Sequence, residues 1–242
     1  MFKVYQIGKH KRIIMEKWTY ALLLIGSILI PFIRSFETRV RFYKNWGPLF
    51  AGIFIMMLVF IPWDVVFTRM EVWSFNYNYV SGIYILDLPV EEWLFFVVIP
   101  YCCVFVYEVL KYFFPKVHFP VVSFWITLLL GIFTLVLAIV HTDRIYTFIV
   151  MGLASLLLFW QLIINSHKTW LSHFYFMFLV SLIPFFIVNG ILTSFPVVSY
   201  DNTENLAIRL FTIPFEDSFY FLGMMFIVMM VYEPLKRKIS NR

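Results

Sequence analysis

The feature that most constrains this chain is a series of seven apolar stretches, each close to the length that a helix needs to cross a bilayer. Lipid offers no hydrogen-bond partners, so a segment that spans it must satisfy its backbone internally, and stretches of this length do so as α-helices. Hydrophobic residues make up 62% of the sequence and charged residues only 14%. The sequence therefore predicts an all-α integral membrane protein with seven transmembrane helices, near residues 18–33, 47–67, 92–110, 121–140, 145–165, 171–194 and 216–233.

Two segments of the sequence resemble each other without a gap. They are LPVEEWLFFVVIPYCCVFVYE at residues 88–108 and IPFEDSFYFLGMMFIVMMVYE at residues 213–233, and matched positions lie 125 residues apart. Each segment opens with a pair of carboxylates just before or within its apolar run. These pairs are Glu91 with Glu92, and Glu216 with Asp217.

The same offset relates DVVFT, at residues 64–68, to NGILT, at residues 189–193. We therefore predict a parallel tandem repeat in a 3+1+3 arrangement, which places both carboxylate pairs on the same side of the membrane. The predicted parts are a basic N-terminal tail, a first three-helix repeat, a connecting transmembrane helix and a second three-helix repeat. Their boundaries are residues 1–14, 15–115, 116–143 and 144–242.

Lysine and arginine residues indicate the orientation of the bundle. The side that holds the C-terminus has more of them than the loops that hold the carboxylate pairs, which favours a cytoplasmic C-terminus in a bacterial cell membrane. The basic residues before the first span favour the opposite orientation. The net charge of +5 is typical of contact with anionic lipid and does not predict nucleic-acid binding.

The carboxylate pairs have two interpretations. Acids in the first turn of a helix are favoured by the helix dipole, so they can be ordinary start signals. One acid would serve that purpose, however, and each copy has two. Four carboxylates crowded into an apolar setting cannot all stay ionised, so we expect a protonated acid beside an ionised base, as general acid–base catalysis requires. Asp64, in the second predicted span, is either a further functional acid or a hydrogen-bonded structural one.

The other reactive residue types predict no metal and no cofactor. The histidines lack the H-E-x-x-H spacing, the chain has no G-x-G-x-x-G fingerprint, and the adjacent Cys102 and Cys103 are expected to fill apolar space. The thirty phenylalanines, fourteen tyrosines and eight tryptophans are explained by interfacial belts or by a pocket lined with aromatic faces. Such a pocket, combined with acids, would suit protonation of an alkene and stabilisation of the resulting cation.

These motifs resemble those of a known family. Residues 15–108, with RVRFYKNW, IPWDVVFT, SGIYILDLPVEEWLFF and IPYCCVFVYE, are similar to the membrane-integral lycopene β-cyclases. The second half, with NGILT, DNTENL and IPFEDSFYF, resembles the partner half of those enzymes. The resemblance is to the single-chain form of the Bacteroidetes, whereas other members are two subunits or are joined to phytoene synthase.

The resemblance implies conversion of lycopene and related linear carotenoids to γ-carotene and β-carotene without a cofactor. It assigns the motif acids as catalytic residues: Glu91, Glu92, Glu216 and Asp217. Supporting or substrate-binding roles fall on Asp64, Asn189, Asn205, Trp93, Phe95, Phe96 and Phe219. Because Asp64 corresponds to an amide in the second half, one composite site between the halves is favoured over two equivalent ones. The oligomeric state is left open.

A small-solute transporter is the main alternative, because parallel 3+1+3 repeats also occur in carriers. Carriers place their binding site near the midplane of the bilayer, whereas the acids here cluster at one end of the predicted spans. The position of the acids in the folded chain therefore bears on the choice between the two.

Overall fold

The computed structural model describes residues 17–165 and 170–240 of the chain. The predicted basic tail at residues 1–14 lies outside this part. The described residues form seven α-helices: α1 (Thr19–Arg34), α2 (Trp46–Arg69), α3 (Val90–Phe113), α4 (Pro120–Val140), α5 (Ile145–Asn165), α6 (Trp170–Ser194) and α7 (Asp217–Ser240). A short 3-10 helix, Phe42–Asn45, precedes α2.

Six of the seven helices are long and apolar enough to cross a membrane, as expected for a multi-pass membrane protein. The exception is α1, which has 16 residues. At 1.5 Å per residue it is about 24 Å long, less than the roughly 30 Å of a bilayer core. The prediction of seven membrane-length helices therefore holds for α2 to α7, and α1 is a shorter apolar helix.

Short strands connect the helices on the side where the carboxylate pairs lie. They are β1 (Trp73–Phe75), β2 (Tyr84–Ile85), β3 (Leu88–Pro89), β4 (Val198–Tyr200), β5 (Arg209–Leu210) and β6 (Ile213–Pro214). Strands β1, β2 and β3 lie 125 residues before β4, β5 and β6 respectively. Two of the three ribbons are hairpins that lead into a helix, β2–β3 before α3 and β5–β6 before α7.

The third ribbon joins the two halves of the chain. β1 pairs antiparallel with β4, with Trp73 opposite Tyr200, Ser74 opposite Ser199, and Phe75 opposite Val198. Residues 73, 74 and 75 correspond to 198, 199 and 200 at the offset of 125, so each strand pairs with its own counterpart. This is the self-complementary geometry of a two-fold contact, formed here inside one chain.

The helices of the two halves also pack against each other. α2 packs on α7 and α6 packs on α3, while α4 lies mainly against α5. At the contact of α2 with α7, a Cβ atom added to Gly52 would lie 2.7 Å from the carbonyl oxygen of Val228. The absence of a side chain at Gly52 therefore allows this close approach, as is common between membrane helices.

A reciprocal polar contact joins the carboxyl ends of α3 and α7. The Tyr107 hydroxyl and the Lys111 ammonium donate to Glu233 Oε1 at 2.6 and 2.9 Å. In the mirror arrangement, the Tyr232 hydroxyl donates to Glu108 Oε1 at 2.8 Å and Lys236 donates to both oxygens of Glu108. We name this arrangement the Tyr–Glu–Lys contact.

The burial of Glu108 and Glu233 differs from what their positions in the sequence indicate. From their positions at helix ends, Glu108 and Glu233 are expected to be interfacial anchors. Both are buried instead, with exposed fractions of 7% and 1%. Each accepts its hydrogen bonds from the opposite half of the chain, which sequence spacing within one helix does not reveal.

We predict that Glu233→Gln and Glu108→Gln each destabilise the protein by roughly 1–3 kcal/mol, because a buried acceptor of charge-assisted hydrogen bonds loses its charge. Thermal unfolding in detergent measures the change. The matched control is Glu37→Gln, whose ion pair with Arg34 lies at the surface, and we expect a loss of about 0–1 kcal/mol. Equal stability of all three variants and the parent would contradict a role of the contact in joining the halves.

Candidate active site

A cavity of about 60 Å³ lies where the end of α2, the starts of α3 and α7, and the β1–β4 ribbon meet. Its walls are aromatic and aliphatic, with three carboxylates among them. Both halves of the chain contribute: Tyr20, Asp64, Trp73, Phe75, Glu92, Phe95, Tyr146, Phe185, Asn189, Leu192, Thr193, Val198, Tyr200, Asp217, Tyr220, Phe221 and Met224.

The lining residues include matched positions of the two halves. The pairs that lie 125 residues apart are Asp64 with Asn189, Trp73 with Val198, Phe75 with Tyr200, Glu92 with Asp217, and Phe95 with Tyr220. Because both members of each pair line the same cavity, the halves enclose one shared space. Except for the two acids, the members of each pair differ in the hydrogen-bonding groups that they carry, so the space is not symmetric.

Glu92 and Asp217, the second acid of each motif pair, line this cavity and are held by tyrosines. The Tyr20 hydroxyl donates to Glu92 Oε2 at 2.5 Å. Asp217 accepts from the Tyr146 hydroxyl at Oδ1 and from the Tyr200 hydroxyl at Oδ2, the latter at 2.8 Å. The side-chain donors that hold the two acids are thus neutral phenols.

Tyr200 remains a donor at ordinary pH. It lies in β4, outside the membrane-length helices, and its burial, together with the nearby charge of Asp217, raises the pKa of its phenol well above the usual value. A phenol that keeps its proton offers a stable O–H to the carboxylate beside it.

Asp64 is the third acid of the cavity and has a different partner. The indole Nε1 of Trp73 donates to Asp64 Oδ1 at 2.8 Å. The other oxygen, Oδ2, is buried and has no hydrogen-bond partner among the described residues. A buried carboxyl oxygen without a partner is costly. Oδ2 of Asp64 is therefore free to accept one further hydrogen bond from a group that enters the cavity.

Glu91 and Glu216, the first acid of each motif pair, are not among the residues that line the cavity. The Ser81 backbone N–H donates to Glu91 Oε1 at 2.7 Å, and the Leu206 backbone N–H donates to Glu216 Oε1 at 2.7 Å. Glu216 also accepts from the Thr147 hydroxyl at 2.7 Å. Each of these acids therefore ties the loop that precedes its hairpin to the start of a helix.

The other predicted site residues fall into two groups. Phe95 and Asn189 line the cavity. Phe96 is fully buried in the core beside Phe60, and the Trp93 indole donates to the Ile85 carbonyl oxygen at 3.1 Å.

Two further predicted residues also lie outside the lining. Phe219 packs against Phe133 and Phe215. Asn205 hydrogen-bonds to the Asp201 carbonyl oxygen and the Ala207 backbone N–H, and so shapes the loop between β4 and β5.

Sequence reasoning missed the tyrosines that hold the acids. Tyr20 and Tyr146 perform matching roles but lie 126 residues apart, so a comparison at the constant offset of 125 does not align them. Tyr200 corresponds to a phenylalanine, Phe75, and shows no repeat signal at all. Only the shared environment of Glu92 and Asp217 identifies these residues.

The arrangement can transfer protons within apolar, aromatic surroundings. Two acids with neutral hydrogen-bond donors line the cavity, and the aromatic rings of Trp73, Phe95 and Tyr220 line it with them. Within residues 17–165 and 170–240, no group of three or more His, Cys, Asp or Glu side chains is placed to hold a metal ion. These features define a multi-pass membrane protein with a buried acid–aromatic cavity.

The chain belongs to the lycopene cyclase family. The family model described as lycopene cyclase matches residues 17–110 and again residues 143–235. A bifunctional lycopene cyclase/phytoene synthase from Aspergillus oryzae is 30% identical over 92 residues, a segment that covers 38% of this chain and 15% of the fungal protein. No solved structure gives a significant match.

We predict that Glu216→Ala loosens the loop between β4 and β5, because the Leu206 amide loses its charged acceptor. Hydrogen exchange at this amide should accelerate by about tenfold, and Glu91→Ala should do the same at Ser81. Mass spectrometry of peptic fragments measures both. Asp217→Ala is the control, since it removes the neighbouring acid and should leave the Leu206 amide protected. Unchanged exchange in the two glutamate variants would contradict the assigned role.

Proposed function

We propose that this protein is a lycopene β-cyclase, an isomerase of the intramolecular lyase type. It closes the linear ends of lycopene into β-ionone rings by way of γ-carotene, giving β-carotene in carotenoid biosynthesis, with acid–base chemistry and no cofactor. The observation that supports this proposal is the position of Glu92 and Asp217 on one cavity with aromatic walls. Membership of the lycopene cyclase family supports the choice of a carotenoid as substrate.

The proposed reaction begins with a proton transfer from Glu92 to C2 of the lycopene end, which leaves a cation at C1. The C5–C6 double bond attacks C1, so that the C1–C6 bond forms and the positive charge moves to C5. Asp217 then removes the proton from C6, and its bonding electrons form the C5–C6 double bond of the β ring. One proton enters and one leaves, so the product is an isomer of the substrate.

The aromatic lining provides stabilisation of the cation without a competing nucleophile. Ring faces attract a positive charge, whereas water or an exposed carboxylate would add to it. Trp73, Phe95 and Tyr220 line the cavity and would stabilise the cation in this way. The cavity of about 60 Å³ is smaller than the roughly 300 Å³ or more of typical ligand pockets, so binding of a carotenoid end requires lining side chains to move.

In this proposal the four motif acids divide into two kinds. Glu92 and Asp217 exchange protons with the substrate, and Asp64 and Asn189 provide polar contacts at the cavity wall. Glu91 and Glu216 hold the loops that frame the site. This division narrows the expectation from the sequence, which assigned catalysis to all four.

The proposed architecture is the 3+1+3 tandem repeat, with repeats at residues 15–115 and 144–242 and a connecting helix at residues 116–143. Supporting observations are the strands that recur at an offset of 125 and the pairing of β1 with its counterpart β4. The two matches of the family model, at offsets close to 125, agree with this plan.

The carrier alternative has less support. A carrier site near the bilayer midplane would need polar groups in the middle of the helices. Asp64 lies in the last two turns of α2, and Glu92 and Asp217 lie in the first turns of α3 and α7. The acids therefore occupy one end of the bundle, as the sequence suggests, and not its centre.

We expect purified protein in deuterated water, without flavin or nicotinamide, to convert lycopene to β-carotene with one deuterium at C2 of each ring. Mass spectrometry and NMR of the product provide the measurement. Glu92→Gln and Asp217→Asn should each lower turnover by about 100-fold or more, because each removes one partner in proton transfer. The control Glu37→Gln changes a surface acid and should keep full activity.

Three results would count against this reaction. They are full activity in both amide variants, rings without solvent deuterium, and an absolute requirement for a reduced cofactor. Uptake of a small solute by proteoliposomes, with no change to added lycopene, would support the carrier instead.

We also propose that the C-terminus faces the cytoplasm and that the cavity opens towards the other side of a bacterial cell membrane. Cysteines introduced at the exposed Asn202 and Lys238 test this, in a background where Cys102 and Cys103 are alanine. An impermeant thiol reagent should label position 202 in intact cells and position 238 only after permeabilisation. The reverse pattern would establish the opposite orientation.

A further inference from the structure

Glu92 and Asp217, the two motif acids that line the cavity, differ in the number of phenols that hold them. Within the described part of the chain, Asp217 accepts from two tyrosines, Tyr146 and Tyr200, while Glu92 accepts from Tyr20 alone. The difference arises at one position of the repeat. Where the second half has Tyr200, the first half has Phe75, which lines the same cavity but has no hydroxyl to donate.

The β1–β4 ribbon places these two residues. Tyr200 is opposite Trp73 and Phe75 is opposite Val198, so the ribbon holds both side chains at the cavity in matching positions. Trp73 contributes a second difference, because its indole donates to Asp64 whereas Val198 has no donor for Asn189. The pairing of the strands is therefore symmetric, and the chemistry that it presents is not.

Charged groups add to the difference on the Asp217 side. The Arg209 guanidinium lies over the Tyr200 ring at 5.5 Å from its centroid, and the residue 125 positions earlier is Tyr84, which has no charge. Asp217 is thus faced by Arg209 from β5 and by the phenols of Tyr200 from β4, Tyr146 from α5 and Tyr220 from α7. Two acids are also near, Glu216 beside it and Glu92 across the cavity.

Glu92 has the opposite kind of surroundings. The titratable groups that face it are the phenols of Tyr20 from α1, Tyr200 from β4 and Tyr220 from α7, together with the acids Asp64, Asp217 and the neighbouring Glu91. Three of these six groups are acids, only Tyr20 donates a hydrogen bond to Glu92, and no lysine or arginine is among them. Hydrogen bonds to a carboxylate and nearby cations favour its ionised form, whereas nearby acids favour the protonated form.

We propose that Tyr200 is a positioning residue that sets the direction of proton transfer. Its hydrogen bond keeps Asp217 as the carboxylate that accepts the proton from C6, and the lack of such a bond at Phe75 leaves Glu92 as the acid that donates to C2. This inference rests on the proposed cyclisation. In this assignment the shared cavity has one proton donor, Glu92, and one proton acceptor, Asp217. The two ends of lycopene therefore enter the same cavity one after the other and are closed by the same reaction.

The repeat itself offers a matched pair of variants, Tyr200→Phe and Phe75→Tyr, each of which installs the residue of the opposite half. The measurement is the rate of ring formation by purified protein as a function of pH. Activity requires ionised Asp217 and protonated Glu92, so the acidic limb of the profile reports Asp217 and the alkaline limb reports Glu92.

For Tyr200→Phe we expect the acidic limb to move to higher pH by about one unit, because Asp217 loses a donor that favours its charge. For Phe75→Tyr we expect the alkaline limb to move to lower pH by a similar amount, because Glu92 gains such a donor. Tyr77→Phe, which changes a largely exposed tyrosine outside the cavity, should move neither limb.

The outcomes separate this inference from the function on which it rests. If the unaltered protein forms no rings, both proposals fail. If it forms rings but Tyr200→Phe and Phe75→Tyr leave both limbs in place, or if Tyr200→Phe moves the alkaline limb alone, the assignment of Tyr200 is wrong and the cyclase stands. If Tyr200→Phe does not accumulate in membranes, Phe75→Tyr decides by itself, and an unmoved alkaline limb overturns the proposal.

Discussion

Five buried carboxylates of this bundle, Glu92, Glu108, Glu216, Asp217 and Glu233, accept a hydrogen bond from a distant part of the chain. A carboxylate placed in apolar surroundings without a donor is strongly unfavourable, so the acids restrict which helices can be neighbours. Tyr20 and Glu92 are separated by 72 residues, and Tyr107 and Glu233 by 126. In lipid, apolar helix faces alone give little preference for one neighbouring helix over another. The polar contacts between helices provide that preference.

The two ends of the bundle use donors of different charge. At the end with Glu108 and Glu233, each carboxylate is paired with a lysine ammonium group. At the other end, phenols hold Glu92 and Asp217, and such neutral donors leave protonation accessible. In the proposed function, the same repeated helix therefore has a structural acid at one end and an acid that exchanges protons with the substrate at the other.

Much of the fold follows from the local pattern. The predicted stretches at 121–140 and 145–165 correspond to Pro120–Val140 and Ile145–Asn165, since an apolar run in lipid must become a helix wherever it is long enough. The carboxylate motifs also identified the cavity end of α3 and α7. The sequence did not show that the two acids of a pair have different roles. Glu91 and Glu92 are neighbours in the first turn of α3, and only their contacts in the folded chain distinguish them.

The sequence by itself determined that the chain is helical and apolar, that its motifs recur at an offset of 125, and which helix ends carry the acids. These are properties of short segments, and hydrophobicity and spacing express them directly. Only the tertiary structure decided that Glu108 is cross-paired with Lys236 and that Tyr20, Tyr146 and Tyr200 hold the cavity acids. These contacts join residues that no local spacing relates, because they arise when two unequal halves close around one shared space.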